Sequence, residues 1–108
     1  MAIRNVKEIF EKMPEAFNAA AARGVSAIFQ FEITGEGEGT WHVAVKDGTC
    51  KVQEGSHDSP TVTLKTSDRT WLAIVNREMN AIQAFITGKL KVSGNIMLAQ
   101  RIPDLFSF

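Results

Sequence analysis

The sequence predicts an α+β fold in which helices cover one face of a largely antiparallel, five-stranded sheet. Three observations support this class. Apolar and polar residues alternate along residues 25–34, which is the pattern of a half-buried strand. Asp47-Gly48, a strong signal for a hairpin turn, lies between two further alternating stretches. Apolar residues recur at helical spacing in segments before and after these strands.

The first helix is predicted to begin after Asn5, whose side chain can form a capping box with Glu8. Pro14 predicts a kink or a restart, because proline cannot donate to the backbone ladder of a helix. Residues 19–22 are predicted to continue the helix as far as Gly24. Its core-facing stripe consists of four apolar residues at helical spacing: Val6, Phe10, Met13 and Phe17.

Strand pairing can be predicted in detail only around the Asp47-Gly48 turn. A two-residue turn at these positions pairs Val45 with Cys50 and directs both side chains inward. His42 then points outward. The preceding strand, residues 25–34, directs its odd-numbered apolar positions inward and connects to this hairpin through a glycine-rich loop.

The second half of the chain alternates between strands and short helices. Residues 61–66 form the fourth predicted strand, and Ser67 is the predicted N-cap of the helix that follows. Gly88 ends the third helix, and the alternating residues after it form the fifth strand. Asn95 is the predicted N-cap of a last helix that Pro103 stops.

Composition narrows the class of protein. The 108 residues fit a single domain, 1–108, and their 44% apolar and 22% charged content is that of a globular protein. Twelve basic and twelve acidic side chains cancel, so a nucleic-acid partner is not expected. The apolar runs are shorter than the roughly 20 residues of a membrane span. With one cysteine and no predicted signal peptide, we expect a cytoplasmic protein.

No catalytic residue, metal ligand or cofactor is predicted. Ser56, His57 and Asp58 are consecutive, and three consecutive residues cannot stack as nucleophile, base and orienting acid. His42 and Cys50 are predicted on opposite faces of the hairpin, which argues against a zinc site shared with His57. The glycines of residues 35–39 do not open a helix, so a phosphate-binding loop is not indicated.

One stretch resembles a known family. The residues GKLKVSGNIMLA, at positions 88–99, are similar to the GKLKI-x-GN-x-x-LA signature of the sterol carrier protein 2 family. Similarity extends to Gly39-Thr40-Trp41, residues 45–48 and residues 60–68, and so covers most of the chain. The resemblance implies strand order 3-2-1-4-5 and an apolar tunnel between the sheet and four to five helices. The chain ends without the peroxisomal tripeptide of some family members.

The resemblance also implies a lipid-binding site and suggests its lining. We predict eleven lining residues: Phe29 and Phe31 as the sheet-side floor, with Trp71, Ile74, Val75, Ile82, Phe85, Ile96, Met97, Gln100 and Phe106 from the helices and the C-terminal tail. The signature usually has glycine where Met97 stands and an apolar residue where Gln100 stands. These two departures predict a narrower and more polar pocket.

The predicted function is non-catalytic binding and transfer of lipids such as fatty acids, fatty acyl-CoA, sterol-like molecules or phospholipids. The alternative is a structural or interaction domain with a filled cavity, acting through self-association or a partner at residues 105–108. Besides an apolar ligand, the sequence is compatible with two other partners. One is a second copy of the chain, and the other is transient membrane contact through Lys89, Lys91 and Arg101 or through the first helix.

Overall fold

A computed structural model describes residues 5–106. The ten elements in chain order are α1 (Val6–Ala16), β1 (Ala27–Thr34), β2 (Gly39–Lys46), β3 (Thr49–Glu54), β4 (Val62–Ser67), α2 (Asp68–Val75), α3 (Ala81–Ile86), β5 (Leu90–Gly94), α4 (Ile96–Ala99) and α5 (Ile102–Leu105). The strands form one sheet in the order β3-β2-β1-β4-β5. Among the strands of residues 5–106, β1 and β4 pair in parallel, and the other three pairings are antiparallel. The predicted class and strand order are confirmed.

The first helix begins as predicted but ends earlier. The side chain of Asn5 accepts the backbone N–H of Glu8 at 2.8 Å. Pro14 lies inside α1, which ends at Ala16, and residues 19–24 form turns. The predicted continuation through residues 19–22 is therefore wrong. Its physical cause is the extended backbone of Phe17, which forms an isolated antiparallel bridge with Phe106 near the end of the chain.

The hairpin between β2 and β3 has the predicted register. Val45 is opposite Cys50, and Asp47 and Gly48 both have positive φ angles, 52° and 73°. Positive φ at both central positions is the geometry of a type I′ turn, whose twist matches that of the flanking strands. The turn therefore fixes which side chains of β2 and β3 face the helices.

The predicted caps of the later helices are also present. Ser67 accepts the N–H of Thr70 at 3.1 Å, and Asn95 accepts the N–H of Leu98 at 3.2 Å. Gly88 follows α3 with a φ of +81°, as a helix-ending glycine requires. The last predicted helix is instead two short helices, α4 and α5. Pro103 does not end that helix. It lies in the first turn of α5, where a backbone N–H would have no acceptor within the helix, so a residue without this donor fits there.

The core fills the space between one face of the sheet and helices α1 and α2. Aromatic rings form its centre: Phe10 stacks on Trp41 at a centroid distance of 4.5 Å, and Phe31 contacts Trp71 at 5.1 Å. Around them lie further apolar side chains with no more than 2% of their surface exposed, which are Val6, Ile9, Met13, Ala22, Phe29, Val43, Val45, Val62, Ala84 and Leu105.

The opposite face of the sheet is polar and partly covered by the loop between β3 and β4. The N–H of His57 in this loop donates to the side-chain oxygen of Gln30 at 2.8 Å, and the Gln30 amide donates to Glu32 at 3.0 Å. These bonds satisfy Gln30, which is buried on this face. Helices thus cover one face of the sheet, while a loop crosses the other.

Candidate functional site

A cavity of about 820 Å³ lies between the β4–β5 side of the sheet and the helices α2, α3 and α4. Its sheet side is formed by Leu64 of β4 together with Leu90 and Val92 of β5. Leu64 is directly opposite Val92 in the antiparallel register, so the two side chains lie on the same face. Met13 of α1 and Phe106 line the cavity among the buried core residues. The floor of the cavity is therefore continuous with the core.

Helix α2 contributes one wall of the cavity. Ser67 caps this helix, and the next turns direct Trp71, Ile74 and Val75 toward the cavity. Trp71 is 4% exposed, and its indole Nε1 has no hydrogen-bond partner within residues 5–106. An unpaired buried donor is rare and costs stability. Trp71 is therefore held in place by ring packing and not by a hydrogen bond of its indole.

Helices α3 and α4 form the open side. Ile82, Phe85 and Ile96 line the cavity and are nevertheless 65%, 43% and 45% exposed. An apolar side chain can be both cavity wall and exposed surface only at an opening. The cavity therefore reaches solvent between these two short helices.

Polar groups are found at the rim of the cavity. Arg77 and Glu78, in the turn after α2, line it together with Asn80 and Gln100. The side-chain oxygen of Asn80 accepts the N–H of Ile82 at 2.8 Å and so caps α3. The rim thus combines one guanidinium, one carboxylate and two amides around an otherwise apolar interior.

Eight of the eleven residues predicted from the sequence lie on the wall of this cavity: Trp71, Ile74, Val75, Ile82, Phe85, Ile96, Gln100 and Phe106. The structure does not bring the other three to it. Phe29 and Phe31 are fully buried in the core, where the rings of Phe10 and Trp71 cover Phe31. Met97 is 79% exposed on the outer side of α4.

Several residues that line the cavity were not among the lining residues predicted from the sequence. Leu64, Leu90 and Val92 occupy the inward positions of alternating strands, and this signal was sufficient to place them on the helix-covered face. Arg77 carried no such signal, and the helical spacing of Met13 predicted only that it faces the core. Their position at the cavity depends on how α1 and the turn after α2 pack onto the sheet.

The residues that suggested other chemistry have structural partners. The Nδ1 atom of His57 accepts the N–H of Ser59 at 2.9 Å, which stabilises the local turn. Burial raises the pKa of the Cys50 thiol to about 11, which disfavours the reactive thiolate. Within residues 5–106, no group of three or more His, Cys, Asp or Glu side chains could hold a metal ion. Over the same range, no helix is long and apolar enough to cross a membrane.

The described part of the tail, Leu105 and Phe106, does not form the exposed surface that the alternative hypothesis required. Leu105 is fully buried and Phe106 is 4% exposed. The Phe106 ring lies 5.7 Å from the ring of Phe17, and the carbonyl of Leu105 accepts the N–H of Asn18 at 2.8 Å. Residues 107 and 108, to which the same expectation applied, lie outside the described residues.

Comparison with known proteins agrees with this architecture. Sterol carrier protein 2 from Homo sapiens is 34% identical over 102 residues, which are 92% of this chain and 18% of that protein. Hydroxysteroid dehydrogenase-like protein 2 from Rattus norvegicus is 30% identical over 103 residues, 94% of this chain and 20% of that protein. The chain therefore spans about a fifth of the length of these relatives.

A solved structure matches over nearly its whole length. The solution NMR structure of palmitated SCP2L2 from Aedes aegypti superposes with a TM-score of 0.76 at 30% identity, covering 94% of this chain and 93% of that chain. The model of the SCP-2 sterol transfer family matches residues 6–107. The chain therefore belongs to the SCP-2 sterol transfer family.

Proposed function

We propose that this chain binds a single lipid in the cavity and carries it without changing it chemically. The observation that carries the proposal is an apolar cavity of about 820 Å³ that side chains leave unfilled and that opens between α3 and α4. Pockets for small ligands commonly have volumes of about 300 to 1,000 Å³. The palmitated relative, which is similar over nearly its whole length, supports the same assignment.

Affinity in such a site comes from burial of the ligand chain. Each methylene transferred from water to the apolar interior contributes about 0.8 kcal/mol before ordering costs. Val75, Leu64 and Leu90 give this interior shape and apolar area but no directional bond. The site should therefore accept fatty acids, fatty acyl-CoA, sterol-like molecules or phospholipids according to length and width.

The polar rim orients the ligand. Arg77 and Gln100 lie at the cavity, whereas the interior wall is apolar. A guanidinium pairs well with a carboxylate or phosphate, because its planar donors match their oxygens. A ligand with an acidic head therefore places that head at Arg77 and its chain toward Phe106.

The direct test is native mass spectrometry of protein purified from cells, followed by lipid extraction from the same sample. Bound lipid at one molecule per chain is expected. Protein that is always empty, and that also fails to bind fluorescent fatty acyl, acyl-CoA and sterol probes, would contradict the proposal.

The orientation has its own test in Arg77→Gln. This variant should bind a fatty acid about tenfold more weakly, which corresponds to about 1.4 kcal/mol, because it loses one charge-assisted hydrogen bond. It should bind the fatty alcohol of equal chain length as the parent does. Lys46→Gln, a change on the hairpin away from the cavity, is the matched control. Equal losses for acid and alcohol would refute the placement of the head.

A further inference from the structure

One end of the cavity is closed by two buried apolar side chains. Met13 of α1 is 0% exposed and Phe106 is 4% exposed, and both line the cavity. The apolar side chains at the opening between α3 and α4, such as Ile82, are instead 43% to 65% exposed. We call Met13 and Phe106 the closed end. A ligand chain that enters through the opening therefore advances toward side chains that are packed into the core.

The two residues of the closed end are brought together by Phe17. Met13 precedes Phe17 by four positions, which is about one helical turn, and Phe17 forms the isolated antiparallel bridge with Phe106. The rings of Phe17 and Phe106 are 5.7 Å apart between centroids. Residues that are 93 positions apart in the sequence thus form one wall, since Phe17 is next to both of them.

Two hydrogen bonds hold the C-terminal segment against the turns that follow α1. The carbonyl of Leu105 accepts the N–H of Asn18 at 2.8 Å, and the guanidinium of Arg101 donates to the carbonyl of Ala21 at 2.8 Å. Leu105 is itself fully buried. A closely packed protein interior yields little to pressure from a ligand. The closed end should therefore limit the length of a bound chain.

The closed end offers no polar partner to the far end of a ligand chain. Among the described residues, the polar side chains that line the cavity are Arg77, Glu78, Asn80 and Gln100, and all of these residues are exposed. They therefore lie at the rim and not beside Met13. A hydroxyl or carboxylate carried to the closed end would lose its hydration without gaining a hydrogen bond, whereas a methyl group would lose no such bond.

We propose that Met13, backed by Phe106, sets the longest acyl chain that the cavity accepts and selects chains that end in a methyl group. The proposal rests on the lipid-binding function given above and names the ligand class. That class consists of monocarboxylic acids that end in a methyl group and do not exceed a limiting length. Met13 acts on the far end of the chain and takes no part in binding the head at Arg77.

The test is displacement of a fluorescent fatty acid by saturated fatty acids of increasing chain length. In the wild type, affinity should rise about fourfold per methylene until the chain reaches the closed end, and should then stop rising. Met13→Ala removes the side chain beyond Cβ, so its limit should move to chains that are longer by about three methylenes. Met13→Val removes less of the side chain. It should move the limit in the same direction, and it replaces Met13→Ala if that variant does not fold.

Ile9→Ala is the matched control for the length limit. Ile9 precedes Met13 by one helical turn and is equally buried, at 0% exposure, but it does not line the cavity. Ile9→Ala and Met13→Ala should both lower the unfolding temperature, because each removes packed atoms from the core. Only Met13→Ala should move the length limit.

A second arm of the experiment tests the preference for a methyl end. The wild type should bind a fatty acid of the limiting length at least about tenfold more tightly than the ω-hydroxy acid of the same length. The isomer that carries its hydroxyl next to the carboxyl should bind as the unsubstituted acid does, because that hydroxyl stays at the rim.

Several results would overturn the proposal. They are a wild type without a length limit, the same limit in the wild type and the Met13 variants, and an equal shift of the limit in Ile9→Ala. Equal affinity for the methyl-ended acid and the ω-hydroxy acid would overturn it as well. In each of these cases fatty acids still bind, so the lipid-binding function stands. Failure of every fatty acid to bind would instead contradict that function, and this proposal with it.

Discussion

The position of the cavity predicts different effects on ligand binding for substitutions at two residues of the same short helix. Ala99 of α4 is half-buried and lines the cavity, whereas Met97, two positions earlier, is 79% exposed and does not. Ala99→Trp places an indole inside the cavity, and Met97→Trp places the same ring on the surface. The pair therefore separates occupation of the cavity from a general effect of adding an aromatic ring to α4.

The expected magnitude follows from the ligand methylenes that the ring displaces. If the indole takes the place of about three methylenes at about 0.8 kcal/mol each, Ala99→Trp loses about 2.4 kcal/mol, or about 60-fold in Kd. The loss should be largest for long chains, because short ones can avoid the ring. Stability should fall by less than the roughly 1–3 kcal/mol of an overpacked core, since the ring enters empty space.

The assay is displacement of a fluorescent fatty acid by saturated fatty acids of increasing chain length, with thermal unfolding as a check on folding. Met97→Trp should match the wild type at every length. Unchanged affinity of Ala99→Trp for long chains would show that ligand does not occupy the space beside Ala99. Equal losses in both variants would show that the ring acts on α4 and not on the cavity.

Two further predictions concern titrating groups outside the cavity. The N–H of Gly37 donates a hydrogen bond to the Asp68 carboxylate and lowers the pKa of that carboxyl. Asp68 therefore stabilises the folded state at pH values above its unfolded pKa of about 4, and this stabilisation is lost as the pH falls. In urea titrations, Asp68→Asn should therefore be less stable than wild type at pH 7, with a difference that shrinks toward pH 3; a constant difference would contradict this. A rise in the Cys50 pKa from 9.0 to about 11 lowers the thiolate fraction about 100-fold. At pH 8, alkylation of Cys50 in the folded protein should therefore be about 100-fold slower than in the urea-unfolded chain. Equal rates in the two states would contradict this prediction.

The parts of the fold that the sequence predicted are those determined by local chemistry. Asp47-Gly48 specified a type I′ turn and with it the pairing of Val45 with Cys50. Asn5, Ser67 and Asn95 marked helix starts because each side chain accepts a backbone N–H within the next three residues. Neither kind of signal depends on residues distant in the chain.

The errors arose where distant residues decide the local conformation. Residues 19–22 have good helix formers, but the extended conformation that Phe17 needs to pair with Phe106 ends α1 before them. The family resemblance led to the prediction of Phe29 and Phe31 as a sheet-side floor, and in the structure both are buried in the core. Only the packed structure shows that α1 and α2 cover that part of the sheet and leave the β4–β5 side open.

The candidate site likewise combines features that local sequence predicts with features that depend on packing. Alternation along β4 and β5 indicates which side chains face the helices, although it does not say whether helices fill the space above them. Periodicity on α4 is too short to distinguish its two sides, since four residues make about one turn. Met97 and Ala99 could be distinguished as outer and inner residues only from the packing of α4 against the cavity.

The parallel pairing of β1 with β4 has a consequence for the order of folding. Strands β1 to β3 are joined by two hairpins and can pair through neighbouring residues, whereas Phe29 reaches Val62 only after the 32 residues between them have been drawn together. Loop-closure entropy delays such distant pairing. We therefore expect the meander to assemble first and β4, α3 and β5 to join it later. The compartment for the lipid would then be the last region to acquire its walls during refolding, and the first to lose them during partial unfolding.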